Sequence, residues 1–168
     1  TLTELKQLGL QRLVMLTGDQ SQIAHEIGDT LPLDEIHGNL LPADKIQILR
    51  SVKTYYNPII MVGDGVNDAP SLTAADVGIA MGEHGATAAS QSADIVILKD
   101  DLSKVAAAVA IGQDTMRITK NDVITGIVIL IILMAIAATG VIPALIGALF
   151  QEVVDLITIL LALRAKNG

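Results

Sequence analysis

Asp64, Asn67 and Asp68 fall in one short stretch, Gly63-Asp64-Gly65-Val66-Asn67-Asp68-Ala69-Pro70. Two carboxylates and an amide are hard oxygen donors. Clustered in this way they suit Mg²⁺, which takes one or two carboxylates and fills its shell with water and phosphate. The flanking glycines let the backbone come close to a ligand. Two acids in a loop, taken alone, are equally well read as an ordinary acidic turn. A second acidic pair, Glu152 and Asp155, sits in an otherwise apolar stretch. Residues at i and i+3 share a helix face, so both carboxylates can point one way, and Gln151 borders that face. Carboxylates inside a membrane are costly and mark a functional site by default, with a cation path as the natural use. The plain alternative is a pair satisfied by a polar residue of another helix.

These groups need elements to hold them. The apolar run Pro58–Val62 reads as a buried strand, which puts the acidic loop at a strand's carboxyl end, where ligands bind in open α/β sheets. Arg12–Leu16 reads as another strand, running into Thr17-Gly18-Asp19, with a helix over Gln20–Ile27 behind it. The Thr17 hydroxyl and the Gly18 amide could then donate to a phosphoryl oxygen. A short strand is expected near Glu35–His37. Pro42 and Asp44 can start a helix that runs to about Thr54, placing Lys45 near its beginning. On spacing alone Lys45 is a surface lysine. Residues 1–10 suggest a helix ending at Gly9, a short helix begins near Pro70, and Ser103–Thr119 is a further helix. Val77–Ala80 and Asp94–Leu98 are short apolar runs. Strands alternating with helices indicate a doubly wound, Rossmann-like parallel sheet of the α/β class.

The composition agrees. Apolar residues make up 51% of the 168 residues but aromatics only 2%, so the core must be built from Ile, Val, Leu and Ala, as in a parallel sheet buried on both faces. The length allows one compact domain and a little more. A net charge of −7 gives no electrostatic support for nucleic acid as a partner. With no cysteine, disulfides and thiolate metal sites within this segment are excluded. The N-terminal residues have neither the basic start nor the apolar core of a signal peptide. His25, His37 and His84 show no ligand spacing and read as surface or loop residues.

From Val123 to Gln151 there is no charged residue. Gly140 and Pro143 divide this run into two expected membrane spans, about Val123–Ala138 and about Val141–Leu163. Arg117 and Lys120 precede the first and Arg164 and Lys166 follow the second, which places both outer ends in the cytoplasm. A soluble helical hairpin would show amphipathic spacing, and residues 127–138 show none. Counting from Pro143, Glu152 lies roughly 14 Å along its helix, near mid-membrane. The expected division is residues 1–119 for the α/β part and 120–168 for a transmembrane helix pair with a short tail.

Four strings in fixed order carry a family resemblance: Thr17-Gly18-Asp19, Pro42-Ala43-Asp44-Lys45, the Gly63–Pro70 stretch, and Ala74-Ala75-Asp76-Val77-Gly78-Ile79-Ala80-Met81-Gly82. Over nearly its whole length the chain resembles the C-terminal part of a P-type cation-transporting ATPase, whose catalytic domain is haloacid-dehalogenase-like. The resemblance implies Mg²⁺ as cofactor and ATP as substrate of the full-length enzyme. It also implies roles: Asp64 holding Mg²⁺, Asp68 and Asn67 helping with metal and phosphate or supporting the loop, and Lys45 neutralising phosphoryl charge. Thr17 and Gly18 would bind phosphate, and Asp19 would assist hydrolysis. The implied partners are a transported metal cation, the lipid bilayer and the upstream remainder of the ATPase. The implied location is the plasma membrane, multi-pass, with the catalytic part cytoplasmic.

The last helix, Leu149–Asp155 followed by Ala162-Leu163-Arg164, resembles that of the heavy-metal-translocating branch. It lacks the Asp-x-Gly of the zinc, cadmium and lead type, and the Asn-Tyr and Met-Ser features of the copper type, so the ion is not readable. The family's nucleophile lies in Asp-Lys-Thr-Gly-Thr, which does not occur in this chain. The expectation is therefore half of a phosphorylation domain plus a final hairpin, unable by itself to form the aspartyl phosphate. It should be poorly stable alone, because the missing strand is a central one. An alternative is a non-catalytic, membrane-anchored binding or regulatory fragment. A soluble phosphatase would need its own aspartate on Arg12–Leu16, which has none.

Overall fold

The computed structural model describes residues 1–64, 66–82, 88–99, 101–140 and 144–164. Gly65, His84, Val141, Pro143 and Lys166, named above, lie outside them. Two compact units divide at Val109 and Ala110.

The first unit alternates helix and strand: α1 Leu2–Gln7, β1 Val14–Leu16, α2 Ser21–Gly28, β2 Glu35–His37, α3 Pro42–Lys53, β3 Ile60–Gly63, a 3-10 turn Val66–Asp68, α4 Ala69–Ala74, β4 Val77–Met81, α5 Ala88–Ser92 and β5 Ile95–Ile97. Every pairing is parallel. Val14 stands opposite Glu35, Ile60 opposite Val77, and Ile79 opposite Ile95. The sheet is in two pieces, β1-β2 and β3-β4-β5, and β1 does not pair with β3.

Side chains form the core on both faces of β4, because successive strand residues point to opposite sides. Ile79 joins Leu5, Leu13, Ile97, Val105 and Ala106. Ala80 joins Met61 of β3 and Leu49 and Leu72 from α3 and α4, with Leu16 of β1 packed against them. Arg12 adds a polar tie between the pieces: Nη1 donates to the Tyr56 hydroxyl at 3.2 Å and the guanidinium lies 5.3 Å from the ring centroid.

One device recurs where the strands begin. Asp34, Asp76 and Asp94 each stand immediately before, or at the residue before, β2, β4 and β5. The Asp34 carboxylate accepts the Leu13 N–H at 2.8 Å, Asp76 that of Ile59 at 2.9 Å, and Asp94 that of Gly78 at 2.8 Å. Each aspartate's own N–H donates back to the carbonyl of the same residue, at 2.8, 3.1 and 2.9 Å. A carboxylate thus closes the first rung of each parallel pair. This explains why β1 and β3 start later than the apolar runs: the Leu13 and Ile59 amides are taken by side chains. Helix α1 likewise stops at Gln7, short of Gly9, and Gly9 takes a left-handed turn at φ 89°.

α6 runs unbroken over Ser103–Ala138. Its first turns, with Val105 and Ala106, belong to the core of the first unit. Further along it holds a window of mean hydropathy 2.3, long and apolar enough to cross a membrane. α7 spans Ala144–Arg164.

Candidate functional site

The loops after β1 and β3 and the start of α3 all lie at carboxyl ends of parallel strands, or follow directly from one. α3 begins with Pro42, and Asp44 turns its carboxylate back to accept the Leu41 N–H at 2.9 Å. This satisfies an amide that the helix start would leave unpaired. Lys45 therefore leaves from a fixed first turn. Its Nζ donates to Asp68 Oδ1 at 2.6 Å, and the two side chains are only 13% and 12% exposed. Asp68 reaches this position from the 3-10 turn because Gly63 has no side chain: a Cβ there would stand 2.7 Å from the Asp68 Cβ. The glycine is needed for this close approach.

Asp64 follows β3 directly. Its side chain is exposed and takes no hydrogen-bond partner among the described residues. Asn67 is exposed on the adjoining turn. No group of three or more carboxylate or imidazole ligands occurs among the described residues. One free carboxylate beside an amide, with the second carboxylate held by an ammonium, fits an ion that takes few protein ligands and keeps its water and phosphate. Mg²⁺ is such an ion.

In the β1 loop, Thr17 Oγ1 accepts the Asp19 N–H at 3.1 Å and donates to Asp19 Oδ2 at 2.9 Å. Gly18 and Asp19 are exposed. The structure thus brings Lys45 against Asp68 and Thr17 against Asp19, while Asp64 and Asn67 are exposed in the stretch that leads to Asp68. No hydrogen bond joins the two groups among the described residues. His37 is not on a loop: it lies in β2, half-buried, with Nε2 3.2 Å from Glu35 Oε2. On α7, Gln151 and Glu152 are exposed, and of Asp155 only the helix position is described.

Sequence reading found the individual residues but not the Lys45–Asp68 pair, which brings together two strings 23 residues apart. It also missed the turn Gly38-Asn39-Leu40, whose hydrogen bonds hold the Thr17 loop. The Gly-Asn dipeptide between a strand and Pro42 is a turn signal that marks this segment.

Residues 1–76 match the haloacid dehalogenase-like hydrolase family. The chain is 39% identical to the probable cadmium-transporting ATPase of Listeria monocytogenes over 81% of this chain and 19% of that protein. It is 36% identical to the cadmium, zinc and cobalt-transporting ATPase of Bacillus subtilis (strain 168), over 98% of this chain and 24% of that protein. The fold matches a solved zinc-transporting PIB-type ATPase in the E2·Pi state with TM-score 0.74 and 26% identity, over 98% of this chain and 26% of that one. The chain therefore spans about a fifth to a quarter of the length of these relatives. The proteins it matches are named as heavy-metal-transporting ATPases, and the chain is similar to a partial segment of them, with a haloacid dehalogenase-like match over its first 76 residues.

Proposed function

We propose that this chain is the part of an ATP-driven heavy-metal cation pump that supplies the Mg²⁺ and phosphate loops and two membrane helices. The observation that carries the reading is the buried Lys45–Asp68 pair at the carboxyl ends of the parallel strands, with the exposed Asp64 at the end of β3 four residues before Asp68. Asp68 fixes the ammonium of Lys45, which neutralises the phosphoryl group. Asp64, with Asn67 near it in sequence, would hold Mg²⁺, which would supply positive charge to the phosphoryl oxygens. The Thr17 hydroxyl and the Gly18 amide donate to those oxygens. For this the Thr17 proton must turn away from Asp19, which leaves the Asp19 carboxylate free to assist hydrolysis of the phosphoenzyme.

The nucleophilic aspartate comes from the upstream part of the pump. The unpaired edges of β1 and β3 suit a parallel strand inserted between them, which would deliver its end to the same loops. Glu152 and Asp155, with Gln151 on the bordering face, contribute to the cation path through the bilayer. α6 connects the α/β part to that path and transmits motion between them. The pump resides in the plasma membrane with residues 1–119 in the cytoplasm.

Purified pump containing this segment, reconstituted in liposomes, should hydrolyse ATP only with Mg²⁺ and faster with one of Cd²⁺, Zn²⁺, Co²⁺ or Mn²⁺. Asp64→Ala should lower that rate by about 100-fold or more, as loss of a charge-stabilising group does. No stimulation by any of these ions, or an unaffected Asp64→Ala variant, would refute the reading.

A further inference from the structure

Backbone hydrogen bonds tie the turn Gly38-Asn39-Leu40, with His37 before it, to the Thr17–Asp19 loop. The Thr17 N–H donates to the His37 carbonyl at 3.0 Å, the Leu40 N–H to the Thr17 carbonyl at 3.1 Å, and the Asn39 N–H to the Asp19 carbonyl at 2.6 Å. The Asn39 side chain adds a fourth bond, Nδ2 donating to Ser21 Oγ at 2.9 Å. Ser21 is the first residue of α2. Asn39 is also the one described non-glycine residue with positive φ, at 55°. Asparagine tolerates this left-handed conformation where most side chains do not. Gly38 must be small, since a Cβ would stand 2.6 Å from the Ser21 Cα. The other end of the turn passes through Leu41 into α3 and Lys45.

We propose that Asn39 is a positioning residue: through its left-handed turn and its bond to Ser21 it sets the Thr17–Asp19 loop relative to the start of the Lys45 helix. It touches no substrate. Its effect falls on phosphoryl-group hydrolysis because the carbonyls of Thr17 and Asp19 are both anchored to this turn. Rotation of the loop would move the Thr17 hydroxyl and the Gly18 amide away from the charge that Lys45 neutralises. This rests on the reading of the site as a phosphoryl-transfer centre.

The test uses the complete pump with four variants: Asn39→Gly, which keeps the turn but removes the amide; Ser21→Ala; the double variant; and Asn39→Asp. The phosphoenzyme is formed from ATP and its decay followed after a chase. Asn39→Gly and Ser21→Ala should each slow decay roughly fivefold, the value of one net hydrogen bond, and the double variant should be no slower than either. The ATP concentration giving half-maximal phosphoenzyme should not change. Asn39→Asp keeps the turn and can accept from the Ser21 hydroxyl, so it should restore decay. Wild-type decay in Asn39→Gly, a double variant equal to the product of the singles, or no rescue by Asn39→Asp overturns the inference. Amide hydrogen exchange on the complete pump separates this failure from failure of the site reading. The Asn39 and Leu40 amides should exchange faster in Ser21→Ala than in wild type, and equal rates overturn the clamp whatever the phosphoenzyme does. A wild-type pump that forms no phosphoenzyme overturns the site reading and the positioning role with it.

Discussion

Breaking the Lys45–Asp68 pair should destabilise the α/β unit by an amount that depends on which partner remains. At 2.6 Å and an effective dielectric of about 20, the attraction is about 6 kcal/mol before desolvation. Burial takes most of this back, since both side chains are nearly nine-tenths removed from water. The net worth of the pair is therefore small, yet removing one charge leaves the other buried and unpaired. Asp68→Asn and Lys45→Met should each cost about 3 kcal/mol. The double variant removes both charges and should cost far less than the sum, with a coupling of about 2–3 kcal/mol. The chain offers a convenient probe. It has no tryptophan, and its two tyrosines, Tyr55 and Tyr56, both lie between α3 and β3. Tyrosine fluorescence during urea unfolding in detergent thus reports the α/β unit and not the apolar helices. Single variants within about 0.5 kcal/mol of wild type, or singles that simply add, would refute the argument that the pair is a buried, mutually dependent unit.

Further outcomes follow from other parts of the fold. Ser71 is fully buried and its hydroxyl finds no partner among the described residues, so Ser71→Ala should leave stability unchanged or raise it by up to about 1 kcal/mol in the same urea assay. Asp34 is held below the ordinary aspartate value by the Leu13 amide and then Lys6; Asp76 is lowered by Lys53 and then the Ile59 amide. A lowered folded value means these aspartates bind protons more readily when unfolded. Their stabilisation is complete above the ordinary value of about 3.9 and is lost as pH falls through the lowered one. Asp34→Asn and Asp76→Asn should therefore flatten the acid limb of the stability profile, and an unchanged limb would contradict the capping role. Glu152→Gln should remove metal stimulation of ATP hydrolysis while phosphorylation by inorganic phosphate persists; parallel loss of both would place Glu152 outside the ion path.

What the sequence made legible was local. The Pro58–Val62 run followed by Gly63-Asp64 announces a strand and a ligand loop because apolar residues and glycines act over a few positions. Pro42 with Asp44 announces a helix start for the same reason. The exact strand beginnings were hidden, since they depend on Asp34 and Asp76 reaching amides about twenty residues away. α5, read from Ala88–Ser92, has no apolar periodicity to reveal it. The Lys45–Asp68 pair and the Asn39 clamp are tertiary facts: each depends on two segments meeting only once the sheet has formed. The split between β1 and β3 also has no local signature.

The central claim is that these loops serve an aspartyl phosphate. Its most direct test is to incubate the pump containing this segment with radiolabelled ATP, Mg²⁺ and each heavy-metal cation in turn, quench in acid, and treat with hydroxylamine. The account predicts an acid-stable label, released by hydroxylamine and absent in Asp64→Asn. Label that resists hydroxylamine, or that forms equally well in Asp64→Asn, would contradict it.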